Sequence, residues 1–331
     1  MSADFGAAAV TAMPGIDEKW LDTCPARLRG PLARFAAGDL STPVTLMQLV
    51  IEASTPDEVR MALEAAIASV EGRPDATVTT GRLRELSQTW RDHRHAWPTL
   101  KAVLAEAVHD VPAETPEQGI ANWKIVFDHA ARISPEASVA LYSLADPALL
   151  TAATAEIVNR MREWALLGRH HRLLEIGCGI GRFQVSLASE VGLLIGIDIS
   201  GAMLDVARRR CAGLANVLFL RSSGRDLSFI ADRAIDLVLA VDAFPYLVQS
   251  GMELAARHVL EAGRVLRPGG NLLILNFSYR GAPDQDRQDV ASLAEQAGIE
   301  VLCNGTRAFS LWDGVAFQLH KRNGAVRQAN D

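Results

Sequence analysis

An α/β protein with a doubly wound parallel sheet, preceded by an all-helical domain, is what the sequence predicts, and three observations predict it. The second half alternates helical segments with short runs such as LLEI, LLIGI and IDLVLAV, apolar on both alternations, as strands covered by helices on both faces are. The first half is punctuated by Ser-Pro and Thr-Pro pairs, where proline at a first helical position has no needed N–H to lose and its fixed φ suits the helix. A glycine-rich turn, LLEIGCGIGRF over Leu173–Phe183, joins the first of the predicted strands to a helix.

The elements follow in order. Residues 1–16, MSADFGAAAVTAMPGI, contain no Lys or Arg and no sustained apolar core, so they read as a disordered tail and not as a secretory signal. Residues 17–134 read as a helical N-terminal domain. Thr42-Pro43 starts one helix. Thr55-Pro56-Asp57-Glu58 starts another with a capping box, and Val59, Leu63, Ala66, Ile67 and Val70 then recur on one face until Gly72. Further helices are predicted over Thr80–His95, Pro98–His109 and Pro116–Arg132, the last opened by Thr115 with Gln118. Residues 135–331 form the α/β domain. Ser134-Pro135 and Asp146-Pro147 are two more capped starts, the second leading a long helix toward Leu167. Seven strands are predicted: Arg172–Ile176, Leu193–Asp198, Val217–Arg221, Ile235–Val241, Asn271–Phe277, Ile299–Asn304 and Gly314–Leu319.

Composition removes several function classes. The net charge is -6, and its distribution is uneven. Through Leu150 there are 13 Lys and Arg against 20 Asp and Glu, and beyond it 20 against 19. An acidic half repels phosphate backbones, which argues against a nucleic-acid partner. No apolar run reaches the roughly 20 residues of a membrane helix, so a cytoplasmic location is expected. Cys24, Cys178, Cys211 and Cys303 are scattered and form no C-x-x-C pair, so neither a zinc site nor a disulfide framework is expected. His93 and His95, two apart, suit no metal site without further ligands. His258 reads as a surface or packing histidine and Cys178 as a small loop filler.

A strand that runs into glycines and then a helix lets bare backbone approach a ligand. The dinucleotide fingerprint G-x-G-x-x-G would need Gly or Ala at 182 after Gly177 and Gly179, and Arg182 stands there. The spacing is G-x-G-x-G, with Glu175 two residues ahead. EIGCGIG resembles the first motif of class I S-adenosylmethionine-dependent methyltransferases, and three later stretches extend the resemblance in order: LLIGIDIS, AIDLVLAVDAFPYL and RVLRPGGNLLILNFS. The resemblance covers about residues 140 to 320. It implies a Rossmann-like seven-stranded sheet with the last strand antiparallel, S-adenosylmethionine as cofactor and no metal. It implies that Glu175 serves the amino group of the methionine part, that Gly177, Gly179 and Gly181 give close backbone passage, and that Asp198, 21 residues after Gly177, binds the ribose hydroxyls. Ile199 and Met203 would flank the adenine. The family's Gly-Asp after the third strand is replaced by RSSGRDL, which leaves Ser223 or Asp226 for the adenine amino group. Arg182 is expected to be exposed.

An activated methyl group needs a nucleophile set in line with it and, for a hydroxyl, a base. Ligands of open α/β sheets lie beyond the carboxyl ends of the strands, which puts the acceptor near Asp242–Leu247, Asn276–Arg280 and Phe309–Asp313. Asp242 and Tyr246 are the first choices for catalysis. Tyr279, Trp312 and Asp313 are the next for substrate binding, with Tyr142 as a lid residue just ahead of the first motif. Each aromatic has the alternative of core or lid packing. The helical half reads as a substrate lid or a homodimer surface. The expected activity is methyl transfer to an O or N atom of a small-molecule acceptor. Two readings from other classes stay open: an inactive nucleoside-binding scaffold, and a nicotinamide-dependent oxidoreductase, against which Arg182 counts.

Overall fold

The computed structural model describes residues 18–73, 76–106 and 113–323. The expected tail at 1–16 and the end of the helix expected to His109 lie outside the described residues. Contacts divide the chain into two compact units: the described residues of Met1–Ala107 with Ile133–Ala153 and Phe309–Asp313, and those of Val108–Arg132 with Thr154–Ala308 and Gly314–Asp331.

The first unit is helical. It contains α1 (Ala26–Ala37), α2 (Thr42–Glu52), α3 (Pro56–Val70), α4 (Thr77–His93), α5 (Trp97–Glu106), α7 (Pro135–Val139) and the start of α8 (Pro147–Glu163). The capping box at Thr55 forms in modified shape. Thr55 Oγ1 accepts from the Glu58 amide at 3.2 Å, but Glu58 reaches one residue further back, accepting from the Ser54 amide at 2.9 Å. The Glu58 amide is one that a helix start leaves without an intrahelical partner. Leu28, Leu32, Phe35, Leu49, Leu63, Leu83 and Trp90 are buried at its core.

The second unit holds α6 (Pro116–Ile133) through Arg132, the rest of α8, and the sheet. The strands are β1 (Arg172–Ile176), β2 (Leu193–Asp198), β3 (Val217–Arg221), β4 (Ile235–Val241), β5 (Leu266–Leu275), β6 (Glu300–Arg307) and β7 (Val315–His320). Their order is β3-β2-β1-β4-β5-β7-β6. Strands β1 to β5 pair in parallel and β7 runs antiparallel to both neighbours. The remaining helices are α9 (Arg182–Leu187), α10 (Gly201–Arg210), α11 (Phe244–Ser250), α12 (Met252–Val265) and α13 (Pro283–Gln296). The order reverses between β1 and β4, so the switch point lies where the glycine turn after β1 faces the loop after β4.

Strands one to four keep the bounds expected from their apolar runs. The fifth starts ahead of the expected Asn271, because Arg267-Pro268-Gly269-Gly270 is pulled into the ladder. The Gly269 amide donates to Lys321 O at 2.7 Å and the Lys321 amide to Gly270 O at 2.9 Å. A side chain at Gly270 would meet Asp236 O at 2.9 Å, so glycine is what lets the strand lie there. No helix among the described residues is long and apolar enough to cross a membrane.

Phe277, 1% exposed, sits between Phe244 at 5.8 Å and Phe317 at 6.2 Å, in the core beneath the carboxyl ends of β4 and β5. Replacing it by Ala removes both ring contacts and leaves a cavity, so Phe277→Ala should cost about 3–5 kcal/mol in urea unfolding. An unchanged midpoint would contradict this packing.

Candidate active site

The glycine turn folds back onto the second strand, with the amides of Gly177 and Cys178 both donating to Ile197 O, at 2.9 and 3.0 Å. Gly177, Gly179 and Gly181 have φ of +70, +51 and +77, backbone that side-chain-bearing residues seldom adopt. At two of them the chain itself also needs the space. A Cβ at 177 would lie 2.8 Å from Ala243 Cβ, and one at 181 would lie 3.0 Å from Ala207 Cβ. The missing side chains therefore bring the loop against the start of α11 and against α10.

Asp198 ends β2 with its side chain 8% exposed. Its Oδ2 accepts from the Gly179 amide at 2.9 Å and its Oδ1 from the Ser200 amide at 2.8 Å. Among the described residues no cation pairs with it. Burial pushes its pKa up to about 6, working against the amides of Ser200, Gly179 and Ile199, while the charge of Asp128 adds to the rise. The Gly179 and Ser200 amides take one acceptor site on each oxygen, with the Ile199 amide close by; a carboxylate has about four such sites, so it keeps capacity for the hydroxyls of a ribose.

Glu175, 2% exposed on β1, accepts from Gln184 Nε2 at 2.6 Å. Burial pushes this carboxyl up to about 8, opposed by the Gln184 bond and the nearby Arg182 charge and aided by Asp198. Gln184 in turn leaves its buried Oε1 without a partner among the described residues. Arg182, expected at the surface, is 8% exposed with its guanidinium 4.7 Å over the Phe183 ring. A planar cation stacked on an aromatic face stays close to the charged site while covering its own apolar stem. Cys178 is buried against the space left by Gly196. The two buried carboxylates and the glycine turn thus fit a cofactor that carries positive charge and a sugar diol.

The adenine-side candidates are less clearly disposed. Met203 is buried and its amide donates to Ser200 Oγ, while Ile199, half-buried, lies against Gly224. The Ser223 hydroxyl accepts from the Arg225 amide, and Asp226 Oδ1 accepts from both the amide and the hydroxyl of Ser228. Both side chains therefore shape their own loop.

Beyond β4 the chain enters α11 through Asp242, whose φ is +54. Asp242 Oδ1 accepts from Asn276 Nδ2 at 2.8 Å and from the Tyr279 hydroxyl at 2.7 Å. Asn276, at φ +65, accepts on its own Oδ1 from the Val315 amide. The Tyr246 ring meets Tyr279 at 6.0 Å and its hydroxyl hydrogen-bonds that of Tyr279. Burial holds the Tyr246 phenol well above its ordinary range, with the charge of Asp242 acting in the same direction. The structure thus brings Asp242, Tyr246 and Tyr279 together with Asn276. Tyr142 and Trp312 are both buried and stack on each other at 6.1 Å within the first unit, with Phe309 5.3 Å from Trp312 and Asp313 exposed. His258 is buried on α12, its Nδ1 against Leu254 O, the packing alternative of the two expected for it.

Residues 173–270, from β1 into β5, match the family model described as a methyltransferase domain. This segment belongs to the class I S-adenosylmethionine-dependent methyltransferase family. The methyltransferase domain is 33% identical over 107 residues to a demethylmenaquinone methyltransferase of Tropheryma whipplei, covering 32% of this chain and 42% of that protein. It is 32% identical over 169 residues to methyltransferase GfsG of Streptomyces halstedii, covering 49% and 55%. It is 29% identical over 143 residues to the 27-O-demethylrifamycin SV methyltransferase of Amycolatopsis mediterranei, covering 42% and 50%. The chain spans about half the length of these curated relatives.

A buried carboxyl whose pKa is higher in the folded than in the unfolded chain holds its proton longer when folded. Stability is then greatest below the unfolded value and is lost as pH rises through the folded one. For Glu175 that window runs from the ordinary 4.5 to about 8. Thermal unfolding of the ligand-free protein between about pH 5 and about pH 8.5 should show a decline that Glu175→Gln flattens. Parallel pH profiles for the two proteins would contradict the assignment.

Proposed function

We propose that the chain transfers the methyl group of S-adenosylmethionine to an oxygen or nitrogen atom of a small-molecule acceptor by in-line displacement. One observation carries the reading: a buried Asp198, held among the described residues by main-chain amides, lies in the same unit as the bonded group Tyr246, Tyr279, Asp242 and Asn276. When bound, S-adenosylmethionine supplies a methyl group already activated by its sulfonium.

The work left to the chain is binding, orientation and handling of one proton. Asp198 accepts from the ribose hydroxyls. Glu175 lends negative charge to the end of the site where the methionine ammonium and sulfonium lie, and a cation there favours its ionised form. Asp242 is the base for an acceptor hydroxyl, directly or through Tyr279, since a carboxylate with two donors on one oxygen is oriented and ready to accept. Tyr246, its phenol held protonated, bonds the Tyr279 hydroxyl and so helps hold it against the Asp242 carboxylate. Effective molarities of about 10⁵ M or more make such orientation the larger share of the rate.

The relatives' names support a small acceptor: one is a methyltransferase of 27-O-demethylrifamycin SV, another of demethylmenaquinone. The acidic first half supports the same choice over a nucleic acid.

Titration calorimetry with S-adenosylhomocysteine should give a dissociation constant on the order of micromolar. Hydrogen bonds to a charged group contribute about 1.5–3 kcal/mol each, so Asp198→Ala should weaken binding roughly 100-fold. Wild-type protein that gives no heat, or a mutant of equal affinity, defeats the proposal. Asp242→Asn should bind S-adenosylhomocysteine within about twofold of wild type yet lose about 10²-fold in methyl transfer to a panel of phenols and amines. Undiminished transfer would remove Asp242 from the chemistry.

A further inference from the structure

Helix α6 carries two adjacent stripes, each at four-residue spacing, and each meets a different part of the unit that holds the sheet. Gly119, Trp123 and Phe127 lie along α11. A Cβ at Gly119 would come within 2.5 Å of Ser250 Cβ, so the two helices approach as only glycine permits. Trp123 meets the Tyr246 ring edge-on at 4.6 Å and Phe127 meets the same ring at 4.9 Å. Ile120, Lys124 and Asp128 form the other stripe. Ile120 packs on Gly224 in the loop after β3. Asp128 Oδ1 accepts from the Ser200 hydroxyl at 2.6 Å and the Ala202 amide at 3.1 Å, while its Oδ2 accepts from Lys124 at 2.9 Å. Burial works to raise the Asp128 pKa, but the bonds from Ser200, Ala202 and Lys124 outweigh it and hold the carboxyl down at about 2.

Ser200 has two roles in this arrangement. Its amide donates to Asp198 and its hydroxyl to Asp128. The carboxylate proposed to take the ribose is thus one residue-step from the carboxylate that seats α6, and α6 places two rings on Tyr246.

We propose that α6 is a wall of the active site, with Trp123 and Phe127 as acceptor-side specificity residues and Asp128 as the positioning residue that sets them through the turn after β2. The inference rests on the methyl-transfer reading and extends it. A ligand that fixes Asp198 fixes Ser200, Ser200 fixes Asp128, and the helix then holds its rings against Tyr246. The acceptor surface is completed by cofactor binding, and it favours a flat, apolar acceptor able to lie on aromatic faces beside the Asp242 carboxylate.

Hydrogen exchange with S-adenosylhomocysteine as probe tests this in the full chain. In wild type the ligand should slow exchange over both 198–203 and 116–133 by about tenfold or more. In Asp128→Ala the response over 198–203 should persist while that over 116–133 falls below about twofold. Asp128→Asn keeps an oxygen for Ser200 and Ala202 and should restore it. Gly119→Ala should leave 198–203 responsive and unseat the helix from α11. Several outcomes overturn the inference: 116–133 indifferent to ligand in wild type, Asp128→Ala responding like wild type, or Asp128→Asn behaving like Asp128→Ala. Ligand that changes neither segment in wild type would sink the methyl-transfer reading itself, a result distinct from loss of the coupling alone.

Discussion

A carboxylate taken out of water without a cation is the constraint around which the site is built. Asp198 keeps its charge only because main-chain amides point at it, and those amides are available only because Gly179 takes a left-handed φ and Ser200 opens a helix. Burial raises its pKa even so. A site in which burial raises the pKa of two carboxylates, and the charge of Asp198 raises that of Glu175 further, is unfavourable when empty and favourable toward a cationic, hydroxyl-bearing ligand. The cost in folding stability and the gain in recognition come from the same geometry.

The acceptor side follows a related principle with different parts. Asp242 and Asn276 both adopt positive φ at the carboxyl ends of adjacent strands, and each uses its side chain to tie down the next element: Asn276 binds Asp242 and accepts from Val315. Strained backbone of this sort persists only where surrounding bonds over-determine it. The result is a carboxylate whose position is set by the sheet and whose neighbours are two phenols.

Much of this was legible in the chain. The bounds of β1 to β4 follow from apolar runs between turn residues, and the G-x-G-x-G spacing with Asp198 separates this turn from a dinucleotide fingerprint that Arg182 breaks. Asp242, Tyr246 and Tyr279 were reachable by asking what lies beyond the strand ends. What sequence does not reveal is contact over distance. Asp128 and Ser200 are 72 residues apart, and α6 reads as one more helix of the N-terminal half. Its single local hint is Gly119, a helix-weakening residue inside an otherwise regular helical run. The burial of Arg182 was hidden likewise, since a charged residue after a glycine turn is usually solvated, whereas here it lies over the Phe183 face and near the Glu175 carboxyl. The strand through Pro268-Gly269 depends on pairing with Lys321, which no local pattern announces.

The central claim is that Asp198 and the glycine turn are shaped for a sugar-bearing methyl donor. A crystal structure of the full chain with S-adenosylhomocysteine tests it most directly. The account predicts both ribose hydroxyls within hydrogen-bonding distance of the Asp198 carboxylate, with the amino-acid part passing over Gly177 to Gly181 toward Glu175. A ligand bound elsewhere, with Asp198 still bonded to main-chain amides alone, would contradict it.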